Sequence, residues 1–148
     1  MQDGVAKIAD FGLSAMLNQI MSTSSGEGNL AYIDPMYLKN RESYKRGKKS
    51  DIFSLGVLLW EITSGRPPLE KYNKYAIYIQ INMGTREESI KNTPLEYVQL
   101  YQNCWKEDRN KRHDINEVYK ILNDLQIKFN SDKQGIMLFS LIYCISPI

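Results

Sequence analysis

The chain has 148 residues, 43% hydrophobic and 24% charged, with a formal net charge of +2. That length suits one domain of ordinary size, and the composition excludes collagen-like, low-complexity and disulfide-scaffold classes. So small a net charge gives no reason to expect nucleic acid or an anionic membrane as a partner.

Residues 5–14 read as a short strand followed by a turn at Asp10-Phe11-Gly12, where Gly12 lets the backbone reverse sharply. Residues 15–31 are rich in Ser, Gly and Asn and read as an irregular loop. The basic cluster Lys45, Arg46, Lys48, Lys49 is short and reads as a solvated loop. From about Ser50 to Thr63, Ile52, Phe53, Leu55, Val57, Leu58, Leu59 and Ile62 cover every side of a helix, so that helix is expected to be central and buried. Ser50 is the expected cap, and Gly65 with Pro67-Pro68 the stop.

A third helical pattern covers residues 72–83, with Gly84 as its end. Thr93-Pro94-Leu95-Glu96 predicts a helix start with Thr93 at N-cap and Pro94 at N1, followed by Leu95, Val98, Tyr101 and Trp105 on one side. Asp114-Ile115-Asn116-Glu117 repeats the cap-and-Glu spacing, and its helix lines up Ile115, Val118, Leu122 and Leu125. Period-2 alternation is almost absent, which predicts a mainly α fold. Trp105 is expected as a core anchor. His113, with no nucleophile or metal-ligand spacing around it, is expected at the surface.

Two cysteines, Cys104 and Cys144, make neither a disulfide framework nor a metal site. With no basic stretch followed by an apolar run at the N-terminus, the expectation is a cytoplasmic protein. The run from Ile136 to Ile148 carries no charge. It is too short for a bilayer span, which needs about 20 residues. It reads as a tail without a role, as a partner-binding segment or as a weak membrane tail, and as an aggregation risk in each case.

Asp10-Phe11-Gly12 gains its weight from the motifs downstream, in this order: Tyr32-Ile33-Asp34-Pro35, then Ser50-Asp51-Ile52-Phe53-Ser54-Leu55-Gly56-Val57 with Trp60-Glu61, then Gly65-Arg66-Pro67-Pro68, then Cys104-Trp105-Lys106-Glu107-Asp108 and Arg112. This series resembles the C-terminal lobe of the protein kinases, most closely the tyrosine-kinase-like group. The resemblance implies a partial kinase domain over residues 1–127, with residues 128–148 as an apolar tail outside it.

By that resemblance Asp10 binds Mg²⁺ between the phosphates of ATP, with Phe11 and Gly12 beside it. Residues 13–34 match the activation loop. There Ser22, Thr23, Ser24 and Ser25 are candidate phosphorylation sites, each able to add about −1.5 to −2 charge. Asn29 falls in the stretch that faces the acceptor residue. Asp51 matches an acid that fixes the catalytic loop, and an acid at a helix N-terminus is equally explained by the helix dipole. Asp34-Pro35-Met36 stands where the family has Ala-Pro-Glu, whose Glu pairs with a buried arginine matching Arg112. Met36 cannot do so; either Arg112 is solvated or another acid such as Asp34 takes over.

Other parts of a working kinase are not found within residues 1–148: a Gly-rich loop, a strand Lys and its Glu partner, and the catalytic-loop Asp and Asn. That Asp would fall roughly eighteen residues before Asp10. Phosphoryl transfer is mostly positioning and charge stabilisation, so these residues alone are expected to be inactive and to bind neither ATP nor Mg²⁺. The helix that precedes the catalytic loop and packs on the central helix is also missing. If it covered roughly 400 Å² of apolar surface it would contribute on the order of 10 kcal/mol, comparable to a whole domain's margin. The isolated chain is therefore expected to be molten, aggregated or dependent on a partner for folding. A protein substrate or partner is implied; a non-catalytic binding module and a decayed gene piece are the alternatives.

Overall fold

The computed structural model describes residues 30–40 and 42–131. Their regular structure is a 3-10 turn Leu30–Tyr32, α1 Pro35–Lys39, α2 Lys48–Ser64, α3 Lys74–Asn82, α4 Leu95–Cys104, a second 3-10 turn Arg109–Lys111 and α5 Ile115–Ser131. The mainly α class expected from the sequence is what these residues form, with no strand among them. The strand and turn expected at residues 5–14, most of the loop 15–31, Cys144 and the run 136–148 lie outside the described residues.

Helix α2 is the centre. Ile52, Phe53, Val57, Leu59 and Trp60 are buried along one broad arc and share a core with Tyr97, Leu100, Tyr101 and Cys104 of α4 and Val118, Leu122 and Leu125 of α5. The helix is not buried all round, as its composition suggested: Leu58 is 42% exposed. Close approach of α2 to α4 depends on Gly56. A Cβ there would lie 2.7 Å from the Cys104 Cβ and 3.0 Å from the Tyr101 carbonyl oxygen. Gly65 ends the helix in the left-handed conformation, φ +66°, its N–H donating to the Glu61 carbonyl at 2.9 Å; glycine adopts that φ without a Cβ penalty.

Two expected caps are corrected. The N-cap of α2 is Gly47, with no side-chain cap bond. The Ser50 hydroxyl is used elsewhere, donating to Asp34 at 3.0 Å. The N-cap of α4 is Pro94, again without a side-chain bond, so Thr93 does not cap it. By contrast Asp114 and Glu117 form a reciprocal capping box: Asp114 Oδ1 accepts from the Asn116 and Glu117 N–H groups, and Glu117 Oε2 accepts from the Asp114 N–H. Leu95 and Ile115, placed in the apolar stripes by spacing, are exposed because each opens its helix at the surface. Leu30 and Ala31, read as loop, are buried in a second small cluster with Leu38, Leu69 and Ile81.

Two buried tyrosines one helical turn apart differ in a testable way. Tyr97 donates its hydroxyl to the Leu59 carbonyl at 3.0 Å, whereas the buried Tyr101 hydroxyl meets no partner among the described residues. An unsatisfied buried hydroxyl costs about 1–3 kcal/mol, while a satisfied hydrogen bond contributes about 1 kcal/mol net. Tyr101→Phe is expected to leave the urea midpoint unchanged or raise it; Tyr97→Phe is expected to lower it. A loss for Tyr101→Phe as large as that for Tyr97→Phe would show that Tyr101 has a partner.

Candidate functional site

The site starts at Asp34. Asp-Pro at residues 34–35 is an N-cap followed by Pro at N1. Asp34 Oδ1 duly accepts from the Met36 N–H at 3.0 Å and opens α1. The same carboxylate takes a bidentate pair from Arg112, Nη1 to Oδ2 at 2.7 Å and Nη2 to Oδ1 at 3.0 Å. Tyr44 Oη and Ser50 Oγ also donate to Oδ2, at 2.7 and 3.0 Å. The two charged side chains are 0% and 1% exposed.

Arginine carries five N–H donors in a planar fork, and here all five are used. Beyond Asp34, Nε donates to the Lys106 carbonyl, Nη1 to that of Lys49 and Nη2 to that of Glu107. The guanidinium also sits over the Phe53 ring at 5.1 Å. Burial, the largest influence on Asp34, pushes its carboxyl up. The hydrogen bonds from Arg112 and Tyr44, the Arg112 charge and the Met36 N–H more than reverse this and hold it below the usual aspartate range. The two alternatives for Arg112 therefore resolve in favour of Asp34: the arginine is not solvated, and its partner lies two residues before Met36. A carboxylate surrounded by so many donors positions backbone; it has no capacity left to act as a base.

A second clamp lies one turn earlier in the chain. Tyr32 Oη donates to Glu61 Oε2 at 2.5 Å, and Ser54 Oγ donates to the Tyr32 carbonyl at 2.7 Å. Burial first, then the Glu61 carboxylate, raises the Tyr32 phenol well above its ordinary value, so it stays a donor. Together the two clamps pin Tyr32 and Asp34 along one side of α2, and the Leu30–Tyr32 turn packs against α3.

The other residues singled out by sequence have varied settings. Asp51 sits in the first turn of α2, exposed, with no side-chain partner among the described residues. Trp105 is buried in the main core, its ring edge-on to Tyr101 at 5.0 Å. Cys104 is fully buried, which pushes its thiol up to about 12. His113 is half-buried rather than at the surface, with Nδ1 3.5 Å from Glu117 Oε2. The basic cluster is not simply a solvated loop. Lys49 Nζ donates to the Arg112 and His113 carbonyls, and Arg46 stacks on Tyr37 at 3.7 Å.

Asp10, Phe11, Gly12, Ser22, Thr23, Ser24, Ser25 and Asn29 lie outside the described residues. Among the described residues no three His, Cys, Asp or Glu side chains converge as a metal site would need. No helix among them is long and apolar enough to cross a membrane. Sequence reasoning missed Tyr44, Ser50 and Glu61 as clamp residues. Their bonds span 10 to 29 positions, which no local spacing reveals.

Comparison with known proteins gives a coherent set. The family model for protein tyrosine and serine/threonine kinases matches residues 1–122. Mitogen-activated protein kinase kinase kinase 7 of Homo sapiens is 32% identical over 127 residues, covering 84% of this chain and 20% of that protein. A probable LIM domain-containing serine/threonine-protein kinase of Dictyostelium discoideum is 29% identical over 133 residues, covering 87% of this chain and 14% of that protein. The chain thus spans about a fifth or less of the length of these relatives.

Proposed function

The chain belongs to the protein tyrosine and serine/threonine kinase family, and from that premise we propose that it is the activation-segment and helical part of a kinase C-lobe, a substrate-side scaffold that transfers no phosphate by itself. The family moves the γ-phosphate of ATP to protein hydroxyls with Mg²⁺. The observation that carries the reading is the buried Asp34–Arg112 pair, which fixes the end of the activation segment on α2 although Glu is replaced by Met36. On this reading the kinase-like unit is residues 1–127, with the last turn of α5 running on to Ser131. Asp10, Phe11 and Gly12 would hold Mg-ATP only when the remaining nucleotide-positioning groups are supplied. Phosphorylation at Ser22, Thr23, Ser24 or Ser25 would add charge to the same segment. A cytoplasmic setting and a protein substrate complete the proposal.

The reading is tested by titrating the purified 148-residue chain with Mg-ATP in a calorimeter and following transfer of labelled phosphate to a mixed peptide library. No saturable heat and no transfer are expected. Micromolar affinity, or transfer abolished by Asp10→Ala, would sink it. A second reading, a non-catalytic binding module, is favoured by one observation: α3 presents Tyr75, Ile79 and Met83, each more than half exposed, on one face. Recovery of the chain as a soluble monomer that captures a protein through that face would select it.

A further inference from the structure

Four of the five residues from Lys45 to Lys49 are cations, and the fold brings Arg109 to the same loop. Two arginines there lie over tyrosines: Arg46 over the Tyr37 ring at 3.7 Å and Arg109 over the Tyr44 ring at 5.1 Å. Tyr44 is itself fixed, its hydroxyl donating to the buried Asp34. Lys49, bonded to the Arg112 and His113 carbonyls, ties the loop to the end of the second 3-10 turn. Neighbouring Arg112 uses all five of its donors inside the protein. Arg46 and Arg109 use none of theirs: no side-chain hydrogen bond or ion pair joins either guanidinium to a described residue. An arginine held against a ring has lost side-chain freedom in advance, and its donors remain in a fixed fork that matches a carboxylate. Lys45 and Lys48 stand exposed beside them, again without an ion pair among the described residues.

We propose that this loop and Arg109 form a docking site for a short acidic segment of a partner protein, one rich in Asp and Glu, with a carboxylate on each arginine fork and Lys45 and Lys48 at the rim. The first argument is charge. Lys45, Arg46, Lys48 and Arg109 repel one another, and a bound anion relieves that repulsion. The second is size. Tyr44 and Arg46 are two residues apart, at most about 7 Å between Cα atoms, whereas six extended residues span about 20 Å, so one short segment reaches both forks. The third is the placing of the acids around the patch. Glu42 and Asp51 flank the loop in sequence. Glu107 and Asp108 share a hollow of about 490 Å³ with Arg109, each already paired, Glu107 with Lys39 and Asp108 with Lys111. Such interruptions repel the unbroken phosphate row of a nucleic acid, while a peptide can set its carboxylates between them. Residues 42–49 also carry no aliphatic side chain to insert into a lipid surface. The inference does not depend on whether the chain transfers phosphate.

The test titrates the full chain, its arginines labelled with ¹⁵N, with a fluorescent peptide of alternating Asp and Glu, about nine residues and about 30 Å long when extended. A Gln–Asn peptide of the same length, a single-stranded oligonucleotide of the same charge and phosphatidylserine vesicles are titrated in parallel. Saturable binding of the acidic peptide is expected, at least about tenfold tighter than any of the other three and weakened by added salt. The guanidinium N–H resonances of Arg46 and Arg109 should move with the bound fraction, and those of Arg112 should not. Arg46→Lys with Arg109→Lys keeps the charge but removes both forks, and is expected to weaken binding about tenfold. Lys45→Gln with Lys48→Gln leaves the forks and should weaken it only about threefold. Undiminished binding by the arginine-to-lysine chain would show that charge alone attracts the peptide and would overturn the proposal. Should that variant lose its helical circular dichroism, the resonances of the unsubstituted chain decide, and unmoved Arg46 and Arg109 signals overturn the proposal. Equal or tighter binding of the oligonucleotide or the vesicles would assign the patch to a nucleic acid or a membrane, and no saturable binding of the acidic peptide would leave it a solvated loop; each overturns the proposal.

Discussion

Replacing Asp34 by Ala is expected to destabilise the chain by about 3–5 kcal/mol, the cost of leaving a buried charge without its partner. The substitution takes one acceptor in one step from each Nη of Arg112, from the Tyr44 and Ser50 hydroxyls and from the Met36 N–H. Three backbone carbonyls still hold Arg112, yet they carry no charge to offset the guanidinium. Against a typical domain margin of about 5–15 kcal/mol, the urea transition should shift far to lower concentration or disappear. Pairing Asp34→Ala with Arg112→Leu should recover part of the loss, because the double variant no longer buries a lone ion. A double-mutant cycle reads that coupling directly. An Asp34→Ala chain within about 1 kcal/mol of the unsubstituted one would mean that the pair contributes little beyond an exposed ion pair.

The same pair fixes the sign of an acid dependence. Its partners hold the folded-state Asp34 carboxyl below its ordinary value of 3.8. A depressed acid contributes stability that is fully present above the unfolded value and is lost as the pH falls through the folded one. The expected signature is a loss of urea stability beginning near pH 4 and deepening below it. Asp34→Asn, which keeps the shape but removes the titration, should flatten that limb while lowering stability at neutral pH. Glu96, Glu107 and Asp114 are also held below their ordinary values. They are far more exposed than Asp34, so solvent weakens their share.

Local chemistry was legible in the sequence wherever it depended on near neighbours. Asp114 and Glu117 sit three apart and cap each other. Gly65 follows the last apolar turn of α2 and adopts the left-handed angle. The apolar arcs of α4 and α5 follow their spacing except at Leu95 and Ile115, where a helix's first turn projects beyond its neighbour. Long-range pairing was not legible in the same way. Met36 in place of Glu announces a missing partner for Arg112 and leaves two alternatives, a solvated arginine or another acid such as Asp34; the fold decides between them by bringing Asp34 across 78 positions. Ser50 misleads because a serine before an apolar run has two equally good uses. Asp34 recruits its hydroxyl, and the backbone of Gly47 opens the helix instead. Leu58 shows the limit of composition: a helix apolar on all sides is buried only where it has a neighbour, and Leu58 is 42% exposed.

Trp60→Ala is expected to cost about 3–5 kcal/mol, the range for truncating a buried tryptophan. Its side chain is 0% exposed in the core that α2 shares with α4. The indole also ties down backbone that no helix secures. Nε1 donates to the Glu88 carbonyl at 2.8 Å, and the Arg66 guanidinium lies over the ring at 4.9 Å while its Nη2 donates to Glu87 at 3.0 Å. Glu87 in turn accepts from the Leu69 N–H at 2.7 Å, and Leu69 has a positive φ of 57°, strained for a branched residue. Removing the indole should therefore loosen the link between α3 and α4 as well as open a cavity. Trp60→Phe separates the two effects, since it keeps much of the ring volume and loses the hydrogen bond. Its expected cost is about 1–3 kcal/mol. Hydrogen exchange should then show the Glu87–Glu88 amides opening in both variants, with the α2 amides opening widely only in Trp60→Ala. Equal protection of residues 85–92 in all three chains would mean that Trp60 serves the core alone and that Glu87 holds this connection by itself.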